Sequence, residues 1–514
     1  MLIKKKNNNN NKKKQTWFIA FAILVLCLAH SYSGKEFKVA ITAFTHTAID
    51  GLLRQIKERL DKSFPDLKLD LLKLVSKSQL EKSDRNIEIG EVSNEKLVRF
   101  SQSISIVGGT CWSFFKNEAK RFKNSKLQFD LIVTDEASQV PVNDSAILFR
   151  FLKPQEGRIV YCGDLQQLPP IVRADYPIPN QIETAVLTKS IFYCLFEKNV
   201  FASLSDEEKE AALSKDRSQV IDMFKPGTRG ISLLKESFRM NSSLCLYPSK
   251  ILYKGEYSSH PSVSRSKFEH FFSDHDENAI SKFALDSEKP LVFLIFDEQL
   301  EDRIRRTSYS DARHPEVMLI KRILEGIFPR QLDLLTSDLG SMNLERKQGK
   351  GAPAFGKSIF VITPHHEQRI AIAQMCRRLL SIPRSQSSIA KDGAEVVINT
   401  VEKLQGQECE MSIVAYSFTQ DKLFKSGSTE SRFILDRNRI NVSTTRAKKK
   451  TIVLLTRSML DFHPKIFDRL DPKPMEAFHY LRGMKEAANI LDVTAEMLDV
   501  EEEEKEEEEG EGNE

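Results

Sequence analysis

The sequence has no pair of cysteines close enough for a metal-binding or redox motif. Its seven cysteines are Cys27, Cys111, Cys162, Cys194, Cys245, Cys376 and Cys409, and no two lie within four residues of each other. This spacing excludes a CxxC pair, a zinc knuckle and a disulfide framework. Cys27 and Cys162 lie in apolar runs, where a free thiol packs as a small hydrophobic group. We therefore expect a reducing compartment, the cytoplasm or the nucleus.

The apolar run near the amino terminus is too short for a membrane anchor. Trp17–Ala29 has 13 residues, whereas a membrane span needs about 20. A signal peptide is one alternative, because a basic head precedes the run and LCLAHSYSG resembles a cleavage site. A buried helix is the other. The strand-like run FKVAITA (37–43) follows, and cleavage would separate it from its helix, so we expect a buried helix and no membrane partner.

Charge is distributed unevenly along the chain. Asp499–Glu514 holds 11 acidic residues and one lysine. The net charge of +4 therefore divides into −10 on this run and +14 on residues 1–498. A basic body favours a polyanion, above all nucleic acid, and the acidic tail suits a protein partner. The alternative is an ordinary soluble protein with a solvated tail. The tail and the Asn/Lys head (1–14) have compositions typical of disordered segments.

Internal repeats of fixed period are absent, and short apolar runs recur instead. With helix-like segments between them, they are typical of buried strands in parallel sheets. We therefore expect an α/β fold with two parallel-sheet lobes, 15–225 and 226–465, and a carboxyl-terminal region, 466–514, with a helical segment at 474–498 and the acidic tail. The nine runs are FKVAITA (37–43), ISIVG (104–108), DLIVTDE (130–136), RIVYCGD (158–164), LVFLIF (291–296), IFVIT (359–363), VVINT (396–400), MSIVAYS (411–417) and KTIVLL (450–455).

Two of these runs end in polar groups that suit phosphate chemistry. In LIVTDEASQ, Asp135 and Glu136 follow a strand whose carboxyl end is the usual ligand-binding edge of an open α/β sheet. We expect Asp135 to hold Mg²⁺ and Glu136 to polarise a water for attack on a γ-phosphate. Acids at a helix N-terminus are the alternative. In RIVYCGDLQQLPP, Gly163 permits an unusual backbone angle, and Asp164 and Gln167 then reach the same edge.

DEASQ followed by GDLQQLPP is similar to motifs II and III of the superfamily 1 helicases, in the branch of the up-frameshift RNA helicase and senataxin. Further stretches match in the same order. The resemblance covers about 16–455, and it implies two RecA-like lobes, ATP and Mg²⁺ as cofactors, single-stranded RNA or DNA as partner, and 5′→3′ movement. The stretches are ITAFTHTAIDGLL (41–53, motif Ia), KESFRMN (235–241, motif IV), NTVEKLQGQECEMSIVAYS (399–417, motif V) and NRINVSTTRAKK (438–449, motif VI).

The resemblance also implies roles for the matched residues. Gln167 would sense the γ-phosphate. Arg239 and Arg446 would neutralise charge as the phosphoryl group leaves, in the manner of an arginine finger. Gly406 and Glu408, in LQGQE, would line the nucleotide or couple it to the strand. For Arg446 the alternative is a solvated charge on a helix, because three lysines follow at 448–450.

Nucleic-acid contacts are expected in two stretches. Thr45, His46 and Thr47 follow a strand end and suit contacts to phosphates. They equally suit the start of a helix over 48–58, with Thr47 as its N-cap. In TPHHEQRI, the resemblance makes Thr363 and Gln368 part of a strand-binding motif in the second lobe.

Three further residues admit competing interpretations, and a fourth departs from the family pattern. His365 and His366 resemble metal ligands, but adjacent side chains point apart and no cysteine or acid cluster supports zinc. Trp112, in GGTCWSFF, suits stacking on a base, although a position in the core or between the lobes is the preferred interpretation. Phe44 stands where the family usually has proline.

The resemblance requires a phosphate-binding loop, GxxGxGKT, that the sequence does not contain. Such a loop would end at Thr16, a ligand of Mg²⁺ and nucleotide, with Trp17–Ala29 as the helix behind it. At 12–15 the chain reads Lys-Lys-Lys-Gln, without the glycines that let backbone N–H groups wrap phosphates. We expect a first lobe truncated at its amino terminus, through an incomplete sequence rather than a degenerate paralogue, and poor ATP hydrolysis. The alternative function is a non-hydrolysing nucleic-acid-binding or scaffold protein.

Overall fold

The computed structural model divides the chain into two compact units, Met1–Phe238 and Arg239–Glu514, which we call the first and second lobes. It describes residues 14–76, 90–93, 104–121, 128–171, 187–213, 223–225, 227–269, 278–328, 357–383, 386, 388–391, 394–416, 433–461 and 472–498. The acidic run and residues 1–13 of the Asn/Lys head lie outside these ranges.

A parallel sheet forms the centre of the first lobe. Its described strands follow the order β3-β2-β4-β1-β5-β6, and every neighbouring pair is parallel. Helices cover such sheets on both faces, and the central strands are accordingly almost wholly buried. The strands are β1 (Phe37–Ala43), β2 (Asp70–Val75), β3 (Gly90–Ser93), β4 (Ile104–Gly108), β5 (Leu131–Asp135), β6 (Arg158–Tyr161) and the separate β7 (Glu236–Ser237). The helices are α1 (Lys14–Tyr32), α2 (His46–Ser63), α3 (Cys111–Arg121), α4 (Val142–Ala146), α5 (Ile191–Ser203) and α6 (Asp206–Leu213), with 3₁₀ turns at Ala137–Gln139 and Ile147–Phe151.

The apolar run near the amino terminus is a helix with one buried face. In α1, Ile19, Ile23 and Cys27 pack in the same core as β1 and α2, which confirms the predicted buried helix for that face. The opposite face stays apolar but open, because Phe18 is 53% and Val25 is 42% exposed. None of the helices in the described ranges is long and apolar enough to cross a membrane.

The second lobe is built on a larger sheet. Its described strands follow the order β11-β12-β10-β13-β14-β9-β15, parallel throughout except for β11 against β12. The strands are β9 (Leu291–Phe296), β10 (Lys357–Ile362), β11 (Ala390–Lys391), β12 (Ala394–Asn399), β13 (Cys409–Ala415), β14 (Ala447–Thr456) and β15 (Asn489–Val493), with β8 (Ser258–Ser259) apart from the sheet. The helices are α7 (Ser242–Leu252), α8 (Pro261–Ser264), α9 (Ala279–Leu285), α10 (Glu298–Arg306), α11 (Pro315–Ile327), α12 (His366–Leu379), α13 (Val401–Leu404), α14 (Arg437–Thr444) and α15 (Pro472–Lys485), with 3₁₀ turns at Arg457–Met459 and Glu496–Leu498.

The two sheets confirm an α/β fold with two RecA-like lobes. Each of the nine predicted apolar runs overlaps a strand. The prediction for 474–498 was wrong in its second half, because α15 ends at Lys485 and β15 then pairs with β9. Leu491 packs against the core of the second lobe. The segment NILDV lacks the continuous apolar pattern of a buried strand. Its polar residues Asn489 and Asp492 lie on the edge strand of the sheet, where they can reach water.

Candidate nucleotide and nucleic-acid site

The acid pair of motif II lies at the carboxyl end of the buried strand β5. Asp135 is the last residue of the strand and is 4% exposed, and the backbone N–H of Glu136 donates to its Oδ1 atom at 3.0 Å. Glu136 has φ 49° and ψ 40°, in the left-handed region. That conformation is unfavourable for a residue with a Cβ atom, and surrounding contacts must hold it.

The turn after β6 is fastened to the acid pair. The N–H of Ala137 donates to the carbonyl of Cys162 at 2.8 Å, and the N–H of Cys162 donates to Thr134 at 2.8 Å. A Cβ atom on Gly163 would lie 2.9 Å from the backbone nitrogen of Ser138. Only glycine lets the two turns approach this closely.

Asp164 and Gln167 are brought together in that turn. The side-chain amide of Gln167 donates to Oδ2 of Asp164 at 3.0 Å, and the N–H of Gln166 donates to Oδ1 at 2.9 Å. The carboxylate thereby sets the orientation of the Gln167 amide. Asp164 was predicted to lie beside the nucleotide. The structure adds that it positions Gln167 through this hydrogen bond, which the spacing of the two residues in the sequence could not reveal.

Thr16 is 7% exposed and lies in the first turn of α1. Together with Asp135 it offers oxygen atoms, the ligands that Mg²⁺ prefers. Asp135, Glu136 and Gln167 also fit a metal-bound triphosphate in chemistry. Positions 12–15 do not fit the phosphate-binding loop that such a ligand requires, because they contain no glycine. Lys14 and Gln15 already belong to the helix.

In the second lobe, Arg239 and Glu408 form a cluster of charges. Nε of Arg239 lies 3.4 Å from Oε2 of Glu408, and one of its terminal nitrogens donates to the carbonyl of Thr445 at 3.2 Å. Lys448 pairs with the same carboxylate at 3.0 Å. Sequence reasoning missed Lys448, although its position two residues after Arg446 on β14 was a signal that could have indicated it.

Arg446 is not a solvated charge, since it is 1% exposed. Its Nε donates to the carbonyl of Val442 at 2.8 Å and a terminal nitrogen donates to that of Gln407 at 3.3 Å. Gln407 follows Gly406, which has φ +80°. The arginine of motif VI and the LQGQE turn of motif V are therefore neighbours within this lobe.

Asn241 is a further residue that sequence reasoning missed. Its side chain caps α7 through the N–H of Leu244 at 3.0 Å, and its amide donates to the carbonyls of Ser266 and Lys449 at 3.0 and 2.9 Å. These bonds fix the segment two residues after Arg239 against β14. The final Asn of KESFRMN, before a helix-like run, was the available cap signal.

Thr363 and Gln368 lie inside the second lobe, contrary to the surface position that a strand contact requires. Both are 0% exposed. The Thr363 hydroxyl donates to the Gln368 side-chain oxygen, and the Gln368 amide donates to Oε2 of Glu316 at 2.5 Å. Thr363 also accepts the N–H of His365 at 3.2 Å. In this structure the two side chains hold the start of α12 through hydrogen bonds.

Thr45, His46 and Thr47 surround the start of α2. The helix begins at His46 and its N-cap is Thr45, whose hydroxyl accepts the N–H of Ala48 at 3.3 Å. The predicted start at 48, with Thr47 as N-cap, was therefore wrong. Burial lowers the pKa of His46, with help from the charge of Lys73. Thr47 is exposed.

Trp112 is half exposed, at 50%, so the interpretation as a core residue was wrong. It lies in the first turn of α3, and its indole N–H donates to Oδ2 of Asp144 at 3.1 Å. Desolvation raises the pKa of Asp144, while this hydrogen bond lowers it.

Comparisons with known proteins agree with this arrangement. Two family models, each described as an AAA domain, match residues 3–175 and 216–458. The chain is 23% identical over 442 residues to the DNA replication ATP-dependent helicase/nuclease DNA2 of Bos taurus, covering 81% of this chain and 33% of that protein. The human protein of the same name is 22% identical over 452 residues, with 84% and 34% covered. The uncharacterized ATP-dependent helicase MJ0104 of Methanocaldococcus jannaschii is 23% identical over 336 residues, with 65% and 37% covered.

The two lobes, the ordered motifs and these matches define a P-loop NTPase of the helicase class. The chain belongs to the superfamily 1 helicases, in the up-frameshift-like group. It spans about a third of the length of the curated relatives described above.

Proposed function

We propose that this chain is the motor part of an ATP-dependent helicase or translocase that moves 5′→3′ on single-stranded nucleic acid. The observation that carries the proposal is the strained backbone of Glu136, held beside Asp135 and fastened to the Gly163–Asp164 turn. Strain of this kind persists where surrounding contacts enforce it, and it is concentrated at functional sites. The names of the relatives favour DNA as the strand.

ATP with Mg²⁺, when bound, would supply the phosphoanhydride bond whose hydrolysis drives movement. Asp135 and Thr16 would hold the metal. Glu136 would accept a proton from the attacking water, and Gln167, oriented by Asp164, would direct its amide at the terminal phosphate. Asp135 and Glu136 are adjacent along the chain, so β5 sets both positions at once.

The second lobe would supply positive charge. Arg446 and Arg239 would neutralise the charge that develops as the phosphoryl group leaves, a contribution of about 10³-fold or more in rate. Gly406 and Glu408 would line the nucleotide. Because Glu408 pairs with both Arg239 and Lys448, its carboxylate would hold these cations in place in the absence of nucleotide.

The proposal is tested by measuring phosphate release by the full chain with and without single-stranded DNA or RNA. We expect slow hydrolysis that the strand accelerates and that Glu136→Gln abolishes. A variant that rebuilds the loop pattern, Asn9→Gly with Lys12→Gly, Lys14→Gly and Gln15→Lys, should hydrolyse faster, because it restores the three glycines and the lysine of GxxGxGKT. Hydrolysis that is fast in the unaltered chain and unaffected by Glu136→Gln would contradict the proposal.

A second candidate is a nucleic-acid-binding or scaffold protein that does not hydrolyse ATP. The absence of glycine at 12–15 favours it. It would bind strands through the lobes and a protein partner through the acidic tail. Strand binding that falls with salt but ignores ATP, together with a rebuilt loop that gains no activity, would select this candidate.

A further inference from the structure

Two large aromatic side chains are exposed at the carboxyl edge of the first lobe's sheet. Phe44 directly follows β1 and is 39% exposed. Trp112 lies just beyond β4, in the first turn of α3, and is 50% exposed. Full burial of a large apolar side chain is worth about 1.5–3 kcal/mol, and each of these rings forgoes part of that gain, so two such rings at one edge favour a surface that meets something flat and apolar.

The strand register places both residues at the same edge. β1 and β4 are parallel neighbours in which Ile41 pairs with Gly108, and the N–H of Gly109 donates to the carbonyl of Ile41 at 2.9 Å. Sγ of Cys111, the first residue of α3, is 3.7 Å from the hydroxyl of Thr42. The start of α3 therefore contacts the end of β1, and the chain continues from these contacts directly to Trp112 and to Phe44.

The Trp112 ring is fixed in position. Its N–H donates to Asp144 at 3.1 Å, and the ring of Phe115 meets it edge-on, with centroids 5.6 Å apart and planes at 84°. The first turn of α3 is itself held by Thr110, whose hydroxyl accepts the N–H of Ser113 at 3.1 Å. Because its polar group is already engaged, the indole offers a ligand its face, and it loses little entropy when the face is used.

The groups around Trp112 and Phe44 suit a negatively charged polymer that also carries flat apolar rings. Lys116 is exposed and lies four residues after Trp112, on the same face of α3. The N-termini of α2 and α3 both lie at this edge and carry the positive end of the helix dipole. Nδ1 of His46 has no hydrogen-bond partner among the described residues. Asp144 is the acid next to Trp112, and its carboxylate is engaged with the indole.

We propose that Trp112 and Phe44 form a stacking surface for the unpaired bases of a single strand, with Lys116 beside it for the phosphates. This proposal rests on the proposed function and specifies how the strand is recognised. Stacking uses the π face that every base has, so it is indifferent to sequence. It requires bases that are free of a partner strand, so the surface selects single strands over duplexes.

The test uses the full chain and two dye-labelled probes of equal length, an oligothymidylate and an abasic oligonucleotide, titrated by anisotropy at fixed salt. We expect the unaltered chain to bind the oligothymidylate about ten-fold or more tightly than the abasic strand, since stacking on one ring is worth that much. Trp112→Ala and Phe44→Ala should each lose most of this difference, and Trp112→Phe should retain most of it.

Phe149→Ala is the matched control. Phe149 is 52% exposed, similar to Trp112, but it lies in the 3₁₀ turn that leads into the opposite, amino end of β6. This variant should bind both probes as the unaltered chain does. Circular dichroism would check that each variant retains its fold.

Tryptophan fluorescence gives a second readout, because Trp17 and Trp112 are the chain's two tryptophans. In Trp17→Phe, oligothymidylate should quench the remaining indole and the abasic strand should not. If the chain binds neither probe in a salt-dependent way, the proposed function fails. If it binds both equally, and Trp112→Ala changes neither affinity, the function stands and the stacking surface is overturned in favour of a surface for another partner.

Discussion

The backbone N–H of Ala137 donates to the carbonyl oxygen of Cys162 over 2.8 Å. This bond joins the turn after β5, which carries Asp135 and Glu136, to the turn after β6, which carries Asp164 and Gln167. Two neighbouring strands thus deliver four candidate site residues as one rigid piece. Main-chain hydrogen bonds between the two turns, from Ala137 to Cys162 and from Cys162 to Thr134, fix their separation.

Glu136→Asn should make the first lobe more stable and the protein inactive. Asn accepts the left-handed conformation that Glu136 adopts at φ 49° more readily, so the free energy of unfolding should rise by about 0.5–1 kcal/mol. The lost carboxylate should abolish hydrolysis. Urea unfolding followed by tryptophan fluorescence reports on the first lobe, which holds both tryptophans. Gln155→Gly is the control, at an exposed residue with φ 64°. It should raise the free energy of unfolding of the first lobe without loss of activity. A lower stability in Glu136→Asn would contradict the assignment of strain.

Gly163→Ala should destabilise the first lobe. The new Cβ atom would lie 2.9 Å from the backbone nitrogen of Ser138 and 3.2 Å from Cγ of Phe192, and the backbone has little freedom to move away. A loss of about 1–3 kcal/mol is expected from such overpacking, measured by the same urea unfolding. Gly51→Ala is the matched control, because no atom lies within 4 Å of its Cβ position in α2. It should stabilise by about 0.5–1 kcal/mol; equal effects of the two substitutions would contradict the close approach of the turns.

Glu402→Ala should loosen the contact between α13 and α14 in the second lobe. Glu402 pairs with Arg439, whose guanidinium carbon lies 3.7 Å from the ring centroid of Phe433. Burial lowers the pKa of Arg439 to about 10, so removal of the carboxylate leaves a partly buried cation. We expect a loss of about 1–3 kcal/mol in local stability, read from hydrogen exchange of α14.

The control for Glu402→Ala is Glu476→Ala. Glu476 pairs with Arg437 at 3.2 Å, but its side chain is 55% exposed. Exposed pairs contribute about 0–1 kcal/mol. If the two variants changed hydrogen exchange equally, the burial of the Glu402–Arg439 pair would not matter to stability.

Lys450 should make the second lobe more stable as the pH rises. Its ammonium group is fully buried and donates to the carbonyls of Asp286 and Lys289 at 2.8 and 2.5 Å. Burial lowers its pKa to about 7; Asp286 opposes this shift and Lys289 adds to it. The unfolded chain, with a pKa of about 10.4, binds a proton that the folded chain has released between these two values. The free energy of unfolding therefore rises with pH from about 7 to about 10.

Lys450→Met removes this titration. Hydrogen exchange of β14 at pH 7 and pH 9, corrected for the intrinsic exchange rate, should show a smaller gain in protection for the variant than for the unaltered chain. The same gain in both proteins would mean that Lys450 keeps its proton across this range.

The strand pattern was readable from the sequence because most of the apolar runs are buried on both faces; β6 and β12 are the exceptions. LVFLIF became β9, with all six residues buried. β15 could not be read in this way, since its polar residues lie at the sheet edge. The exposure of Trp112 was also unreadable, because the sequence FKNEAKR that follows gives no sign of which face of α3 the core covers. Thr363 and Gln368 were placed by resemblance, and the structure shows both side chains turned inward.

The amino-acid sequence by itself determined the buried central strands of both sheets and the chemistry at the ends of β5 and β6, because long apolar runs and the glycine, acid and proline residues that follow them act locally. It determined the family as well, since motifs II to VI are short and contiguous. Only the tertiary structure decided the left-handed Glu136, the Ala137–Cys162 bond and the shared edge of Phe44 and Trp112. Those features depend on which strands become neighbours, and strand pairing is fixed by the packing of segments distant in the chain.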